Sequence, residues 1–308
     1  MIKNAKIIGT QIDPDVYHRR DSTIPRGHPE YIMSSGELKE FPVCPHRWKA
    51  GYRDNEESTD SQEWGSLIDT LLLDPARYPE KYAVAPATYL AEGKKKGDPP
   101  TEKPWNRNAT VCKEWEEAQT GKIVVKEPYM KEASKAFSVL KDDPVVSEIL
   151  MVSEKQVMVT AIYANEATGI EVPLRGLIDI APYRDYEGYG KGLIDLKTCI
   201  SAHESVWKKA VFQHGYHIQA AFYLDLYNAA TGEFRNEFRH IAQESFPPYE
   251  IGKHFLSAEF IQLGRDKYQN ALALYCQCIK NNRWLTYEDL AASSINGWSI
   301  VEPEGWMI

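Results

Sequence analysis

The sequence predicts a mixed α/β (α+β) fold, and three observations carry that expectation. Three short runs rich in β-branched residues, Val157 to Tyr163, Ile170 to Pro182 and Gly192 to Lys197, are separated by glycine and charged turns, the pattern of a strand meander. Helix-period stretches stand on both sides of them, Ser61 to Leu73 before and Trp207 to Ala230 and Ser257 to Lys280 after. At 308 residues and 43% hydrophobic, the chain can bury a full core.

In chain order, residues 1–30 carry Pro14, Pro25, Gly27 and Pro29 and read as an extended opening segment. Ser34 or Ser35 is placed to cap a short helix through Glu37, Leu38 and Phe41, and Pro45 to open a second turn. From Ser61 to Leu73, Trp64, Leu67, Ile68, Leu71 and Leu72 recur at three- and four-residue intervals, which predicts a helix with one buried stripe, ended by Asp74-Pro75. Residues 91–104 hold a lysine triplet, two glycines and three prolines, which predicts a mobile loop. A helical region is expected from about Trp105 to Leu150, interrupted near Gly121 and at Pro144. After the meander and the helix that follows it, a strand around Phe234 to Gln243 and the long helix from Ser257 complete the order. The expected division is an extension with short helices at 1–60, a core at 61–283 and a C-terminal tail at 284–308, all within one structural domain.

The formal charge of -8 and pI near 5.6 exclude a protein that coats nucleic acid through bulk positive charge, while a local basic track stays open. No run approaches the roughly 18 apolar residues of a membrane span, and the opening MIKNAKIIGT lacks the apolar segment of a secretion signal. A cytoplasmic protein without a membrane partner is expected. Cys44, Cys112, Cys199, Cys276 and Cys278 are scattered, which points to reduced structural thiols rather than disulfides or a CxxC zinc site. The four-cysteine cluster of iron-sulfur nucleases is missing.

The stretch that carries chemistry is Leu177-Ile178-Asp179-Ile180, a turn from Tyr183 to Lys191, then Leu193-Ile194-Asp195-Leu196-Lys197-Thr198. On adjacent antiparallel strands, Asp195 and Lys197 share a face because strand side chains alternate, and Asp179 sits beside them. A single acid in an apolar strand ordinarily pairs with an arginine or caps a turn. Two acids and a lysine converging between apolar neighbours are costly to keep dry, and a bound metal offsets that cost. Such carboxylates supply the hard oxygen ligands that Mg²⁺ prefers. The ion polarises a phosphate and lowers the pKa of a bound water, while Lys197 positions that water or stabilises developing charge.

Gln219 and Tyr223 lie four residues apart on one helix face, where they can contact DNA phosphate or brace the lysine, or form the polar edge of an ordinary amphipathic helix. Trp64-Gly65-Ser66-Leu67-Ile68-Asp69 puts an acid on an apolar helical stripe, and Gly65 permits close approach of another backbone. A capped or salt-bridged Asp69 is the plain alternative. A zinc site from His203, His214, His217 and Cys199 has unconvincing spacing, whereas His203, Lys208 and Lys209 are candidates for touching the DNA backbone.

These residues resemble the PD-(D/E)xK nuclease superfamily and, within it, the exonuclease VIII-like recombination exonucleases of bacteria and phages, with a more distant likeness to lambda-type exonucleases. The resemblance runs from about Met33 to Ala230 and rests on WGSLIDTLLLDPARYPEKYAVAP, RGLIDIAP, GLIDLKT and HIQAAFY. It implies a mixed central sheet flanked by helices, with Asp179, Asp195 and the backbone carbonyl of Leu196 as metal ligands and Lys197 as the catalytic lysine. It makes Gln219 and Tyr223 the supporting helix motif, with Ser66 and Thr198 as further supporting or DNA-contacting positions. Relatives carry histidine in a Gly-x-x-x-His motif where this chain has Asp69, so Asp69 is expected to ligate a second metal or to orient one. Glu154 is a candidate for the family's acid before the first core strand, with Gln156 as the other alignment.

The implied cofactor is one or two Mg²⁺ ions, with Mn²⁺ substituting and Ca²⁺ binding without supporting cleavage. The implied activity is digestion of one strand of linear double-stranded DNA from an end, 5′ to 3′. Its single-stranded tails would pass to an annealing protein, and the enzyme would work as a ring-shaped trimer or tetramer. Two other readings stay open: an endonuclease or Cas4-like end-processing nuclease on the same core, and a non-catalytic DNA-binding module. The missing cysteine cluster speaks against the Cas4-like form, and the joint presence of Asp179, Asp195 and Lys197 against the module.

Overall fold

Six strands form the central sheet of the computed structural model, which describes residues 1–18, 23–52, 57–92, 99–184, 191–291, 294–295 and 298–301. They are β1 (Ile2–Gly9), β2 (Ser153–Asn165), β3 (Ile170–Pro182), β4 (Leu193–Cys199), β5 (Phe238–Glu244) and β6 (Ile251–Phe255), and they lie side by side in that order. Every neighbouring pair is antiparallel except β4 and β5, which run parallel and make the sheet mixed. The helices that position the site are α1 (Pro14–His18), α2 (Ser35–Glu40), α3 (Asp60–Leu73), α4 (Glu127–Asp142), α5 (Pro144–Met151), α6 (Glu204–Gln213), α7 (Tyr216–Thr231) and α8 (Ala258–Asn281).

Two hydrophobic cores flank the sheet. Phe222 and Leu224 of α7, Tyr268 and Tyr275 of α8 and Leu38 of α2 pack with Leu193 of β4 in the first. Leu67 and Ile68 of α3, Leu140 of α4 and Ile149 of α5 pack with Ile194 and Leu196 of β4 in the second. Strand alternation therefore sends Asp195 and Lys197, with Leu193, toward the α7 side.

Local chemistry accounts for the boundaries. Helix α3 starts at a capping box in which the Thr59 hydroxyl accepts from Gln62 N–H and the Gln62 side chain accepts from Thr59 N–H, and Asp74 ends it before Pro75. The helix expected from Trp207 to Ala230 is two helices, α6 and α7, because Gly215 takes a left-handed φ of 63° between them. Helices α7 and α8 cross at Gly264, where a Cβ would stand 1.9 Å from the His217 carbonyl oxygen.

Several expectations are corrected. The opening segment holds edge strand β1, antiparallel to β2, and the short helix α1. The region from Trp105 to Leu150 is not wholly helical: Ile123–Lys126 is a strand parallel to Tyr82–Ala85, in keeping with its β-branched Ile123, Val124 and Val125. The strand expected from Phe234 starts at Phe238, because the Asn228 side chain donates to Arg235 O at 2.7 Å and accepts from Arg235 N–H at 2.9 Å, holding that stretch as a loop. Strand β6 was not expected. The ends of the loop expected at 91–104 are paired strands, Thr88–Ala91 with Thr101–Pro104, while residues 93–98 lie outside the described residues. So do 185–190 of the turn expected from Tyr183 to Lys191, and Trp306 of the tail. Trp284 of the tail packs against Phe41, Trp48 and Tyr275. Ser34 stands at the cap of α2 without a capping hydrogen bond. All five cysteines are free thiols, and among the described residues no helix is long and apolar enough to cross a membrane.

Candidate active site

Strands β3 and β4 share a single bridging pair, Ile180 with Ile194. Next to it, Leu196 N–H donates to Asp179 Oδ2 at 3.0 Å, the place where a partner strand ordinarily offers a carbonyl. The side chain thus satisfies an amide that the ladder leaves open and is itself fixed at the gap. Strand β4 takes its long ladder from β5 instead, with Asp195 opposite His240 and Lys197 opposite Ala242.

Asp195 is 1% exposed. Its Oδ1 accepts from Gln219 Nε2 at 3.0 Å, while Oδ2 pairs with the Lys197 ammonium and receives no directed hydrogen bond. The Lys197 ammonium also donates to the Leu196 carbonyl at 3.4 Å, so the backbone oxygen expected as a metal ligand is engaged by the lysine here. One turn beyond Gln219, Tyr223 is buried and its hydroxyl meets that of Ser35 at 3.5 Å, bracing α7 against α2. In this position the Tyr223 hydroxyl faces α2 rather than solvent, and burial pushes the phenol up to about 12.

The electrostatics follow from this crowding. Burial, then the neighbouring Asp195, holds the Asp179 carboxyl well above the usual carboxylate range, with Lys197 pulling the other way. Asp69 is pushed up to about 7, by burial first, with Lys197 opposing and Asp195 adding to the rise. Burial also works against the charge on Lys197, but Asp195 and Asp179 outweigh it and the net shift is upward. The site holds more carboxyl groups than one lysine can pair, so two of them are pushed toward the neutral form. Asp69 reaches this field from α3, and Gly65 lets that helix close on β4, since a Cβ there would lie 3.2 Å from Thr198 Oγ1.

Among the described residues, no group of three or more His, Cys, Asp or Glu side chains closes into a metal cluster. Mg²⁺ typically takes one or two protein carboxylates and keeps several waters. Asp179 and Asp195, with an undirected Oδ2 on the latter and a carboxyl on the former whose charged form only a nearby cation would restore, fit that requirement.

The remaining expected positions separate. Glu154 is exposed on β2, paired with Ala181, and does not join the carboxyls. Between the pairs Lys155–Ile180 and Val157–Ile178, Gln156 falls opposite Asp179, and its left-handed φ of 49° breaks the alternation that would carry Glu154 inward. Gln156 is buried, and its Oε1 has no hydrogen-bond partner. Ser66 is exposed on α3, with its carbonyl accepting from the Thr70 hydroxyl at 2.7 Å. Thr198 is half-buried against Gly65, and Lys208 and Lys209 are exposed on α6.

Three residues join the site unannounced. Lys39 of α2 donates to Gln219 Oε1 at 3.4 Å, and its ammonium is pulled down to about 8, by burial first and then by Lys197. The Tyr216 ring lies 5.4 Å from the Lys39 ammonium and 5.4 Å from that of Lys197. His240 is 1% exposed with neither ring nitrogen hydrogen-bonded, and burial pushes it down to about 4, so it is neutral at physiological pH. Tyr216, one turn before Gln219, was visible as a same-face helical neighbour. Lys39 and His240 had no comparable local signal.

A family model described as a PDDEXK-like domain of unknown function (DUF3799) matches residues 34–293. No curated protein matches the chain at a significant level. Among solved structures, a crystal structure from Eubacterium rectale, named there as a candidate exonuclease, is 16% identical with a TM-score of 0.51, over 97% of this chain and 98% of that one. Rai1 of Scheffersomyces stipitis, in complex with (3′-NADP)⁺ and a calcium ion, is 11% identical with a TM-score of 0.26, over 87% of this chain and 79% of that one, a likeness too weak to carry an argument. The Eubacterium rectale structure shows the fold, and the family description supports a nuclease.

Proposed function

We propose a nuclease function from one premise: the chain belongs to the family of PDDEXK-like domains of unknown function. In this reading Asp179, Asp195 and Lys197 form the centre that hydrolyses a DNA phosphodiester. The observation that carries it is the Asp195–Lys197 ion pair standing beside the buried Asp179 carboxyl, which has no ammonium partner of its own and whose charged form burial and Asp195 disfavour.

Asp179 and Asp195 are the residues that would hold a divalent ion, Mg²⁺ with Mn²⁺ as substitute, and Asp69 would ligate or orient a second. When bound, such an ion polarises the phosphate and acidifies a water. The chain's own groups do the rest. Lys197, with its pKa shifted upward, stays an ammonium and serves as a cation that stabilises charge on the phosphate oxygens rather than as a base. Gln219 fixes the Asp195 carboxylate by donating to Oδ1, which leaves Oδ2 facing the lysine. His240, being neutral, adds no competing cation beneath the site.

The finer proposal follows the motif resemblance. The substrate is linear double-stranded DNA, entered from an end and digested 5′ to 3′, with single-stranded tails passed to an annealing protein. The working form is a ring-shaped trimer or tetramer around the duplex.

The test incubates the protein and Mg²⁺ with linear and covalently closed circular duplexes, with a chelator control. The linear form is expected to be degraded and the circle left intact, and Asp179→Asn to spare both. Equal loss of both forms removes the exonuclease reading, and loss of neither removes the nuclease reading.

A further inference from the structure

Lys39 is a second ammonium at the site that the reaction described above does not use. Its stem runs over Gly215, where a Cβ would meet Lys39 Cγ at 3.1 Å and Cδ at 3.2 Å. The side chain has this path because residue 215 has none, in a left-handed turn with φ 63°. At its end the ammonium donates to Gln219 Oε1 at 3.4 Å and faces the Tyr216 ring at 5.4 Å, the same ring that Lys197 faces. Among the described residues no carboxylate forms an ion pair with it.

The orientation of Gln219 follows from its partners. Lysine only donates and a carboxylate only accepts, so Oε1 must face Lys39 and Nε2 must face Asp195. One of the three ammonium donors is taken, by a long hydrogen bond, and the carboxylates whose field reaches the ammonium, Asp195 and Glu40, make no ion pair with it. Two cations facing one aromatic ring mark separate positions, which suits a polyanion whose phosphates repeat along a strand.

We propose that Lys39 holds a DNA phosphate adjoining the one cut beside Lys197. The inference rests on the nuclease reading of the site. Lys39 is then a substrate-contacting residue, and its link through Gln219 couples occupancy of that phosphate position to the orientation of Asp195.

The test measures binding of a fluorescent blunt-ended linear duplex by anisotropy in Ca²⁺ across a salt series, for the wild type, Lys39→Gln and Lys39→Arg. Lys39→Gln is expected to bind on the order of tenfold more weakly at low salt, the size of one charged hydrogen bond. The slope of log affinity against log salt should fall by about 1, while Lys39→Arg keeps it. A second measurement needs no substitution: amine acylation of the wild type read by mass spectrometry, in which the duplex should protect Lys39. Unchanged slope for Lys39→Gln, or equal acylation of Lys39 with and without bound duplex, overturns the inference while a wild type that still binds and cuts DNA preserves the nuclease reading. A wild type that neither binds nor cuts DNA overturns both.

Discussion

Asp179 Oδ2 accepts the Leu196 amide at 3.0 Å, so a carboxyl from β3 occupies the place where β4 would otherwise find a backbone partner. The sheet is held to one bridging pair at that point, and the opening is where the two acids and the lysine meet. Carboxyls placed at a structural gap, rather than on a fully paired ladder, can change partners without dismantling the sheet.

Replacing the lysine tests the charge role directly. Lys197→Met is expected to lower the single-turnover cleavage rate of linear duplex by about 10²–10³-fold, the usual effect of losing one preorganised electrostatic group. DNA affinity measured by anisotropy should change little. Cleavage at the wild-type rate would remove Lys197 from the site.

The raised carboxyls predict a pH dependence that a metal reverses. A carboxyl whose folded pKa lies above its unfolded value binds its proton more tightly in the folded state, so its effect on stability is favourable at low pH and is lost as pH rises. For Asp69 that loss runs from about 4 to about 7, and Asp179 shifts in the same direction. The metal-free protein is therefore expected to lose thermal stability over that window, less steeply in Asp69→Asn. A divalent ion binds the deprotonated form, so the increase in Tm produced by Mn²⁺ should be small at pH 5 and large at pH 8. A Mn²⁺ effect independent of pH would contradict the assignment of these acids as ligands.

Gln219→Glu puts an acceptor where Asp195 needs a donor. The two carboxylates then repel or share a proton, and Asp195 loses its fixed orientation. A drop in kcat of about 10–100-fold is expected, the range typical of groups that orient a ligand. The measurement is steady-state cleavage beside thermal melting, and an unchanged kcat in a folded variant would show that Gln219 does not position Asp195.

The crossing of α7 and α8 predicts a stability effect remote from chemistry. In Gly264→Ala the new Cβ meets the His217 carbonyl oxygen at 1.9 Å, a backbone atom that cannot swing aside. The variant is expected to lose about 3 kcal/mol, with a Tm lower by several degrees. Gly36→Ala is the control: its Cβ would approach only Ser34 Oγ, at 3.8 Å, within a helix where alanine is the better residue. Equal melting of both variants would mean that the helices separate without cost.

Asp179, Asp195 and Lys197 could be found from the sequence because they lie on strands consecutive in the chain, where period-two alternation alone decides which side chains share a face. Gln219 and Tyr223 were visible as a helical pair for the same reason at a period of 3.6. Their separate fates were not visible, since burial of Tyr223 depends on α2, remote in sequence. The strand at Ile123–Lys126 was missed because it is four residues long and its parallel partner lies across the loop region. Glu154 was misplaced because the left-handed residue at Gln156 interrupts the strand period, which no pattern of apolar residues announces.

Nearest-neighbour geometry thus made legible in the sequence the strand meander, the helix α3 with its buried stripe, and the acids and lysine on β3 and β4. Packing of distant segments set the rest: Lys39 arrives over Gly215, His240 lies neutral across from Asp195, and Asp69 enters the same field from a helix that Gly65 lets close on β4. Each of those contacts joins residues far apart along the chain, and only the packing of helices on the sheet brings them within the range of hydrogen bonds and charge.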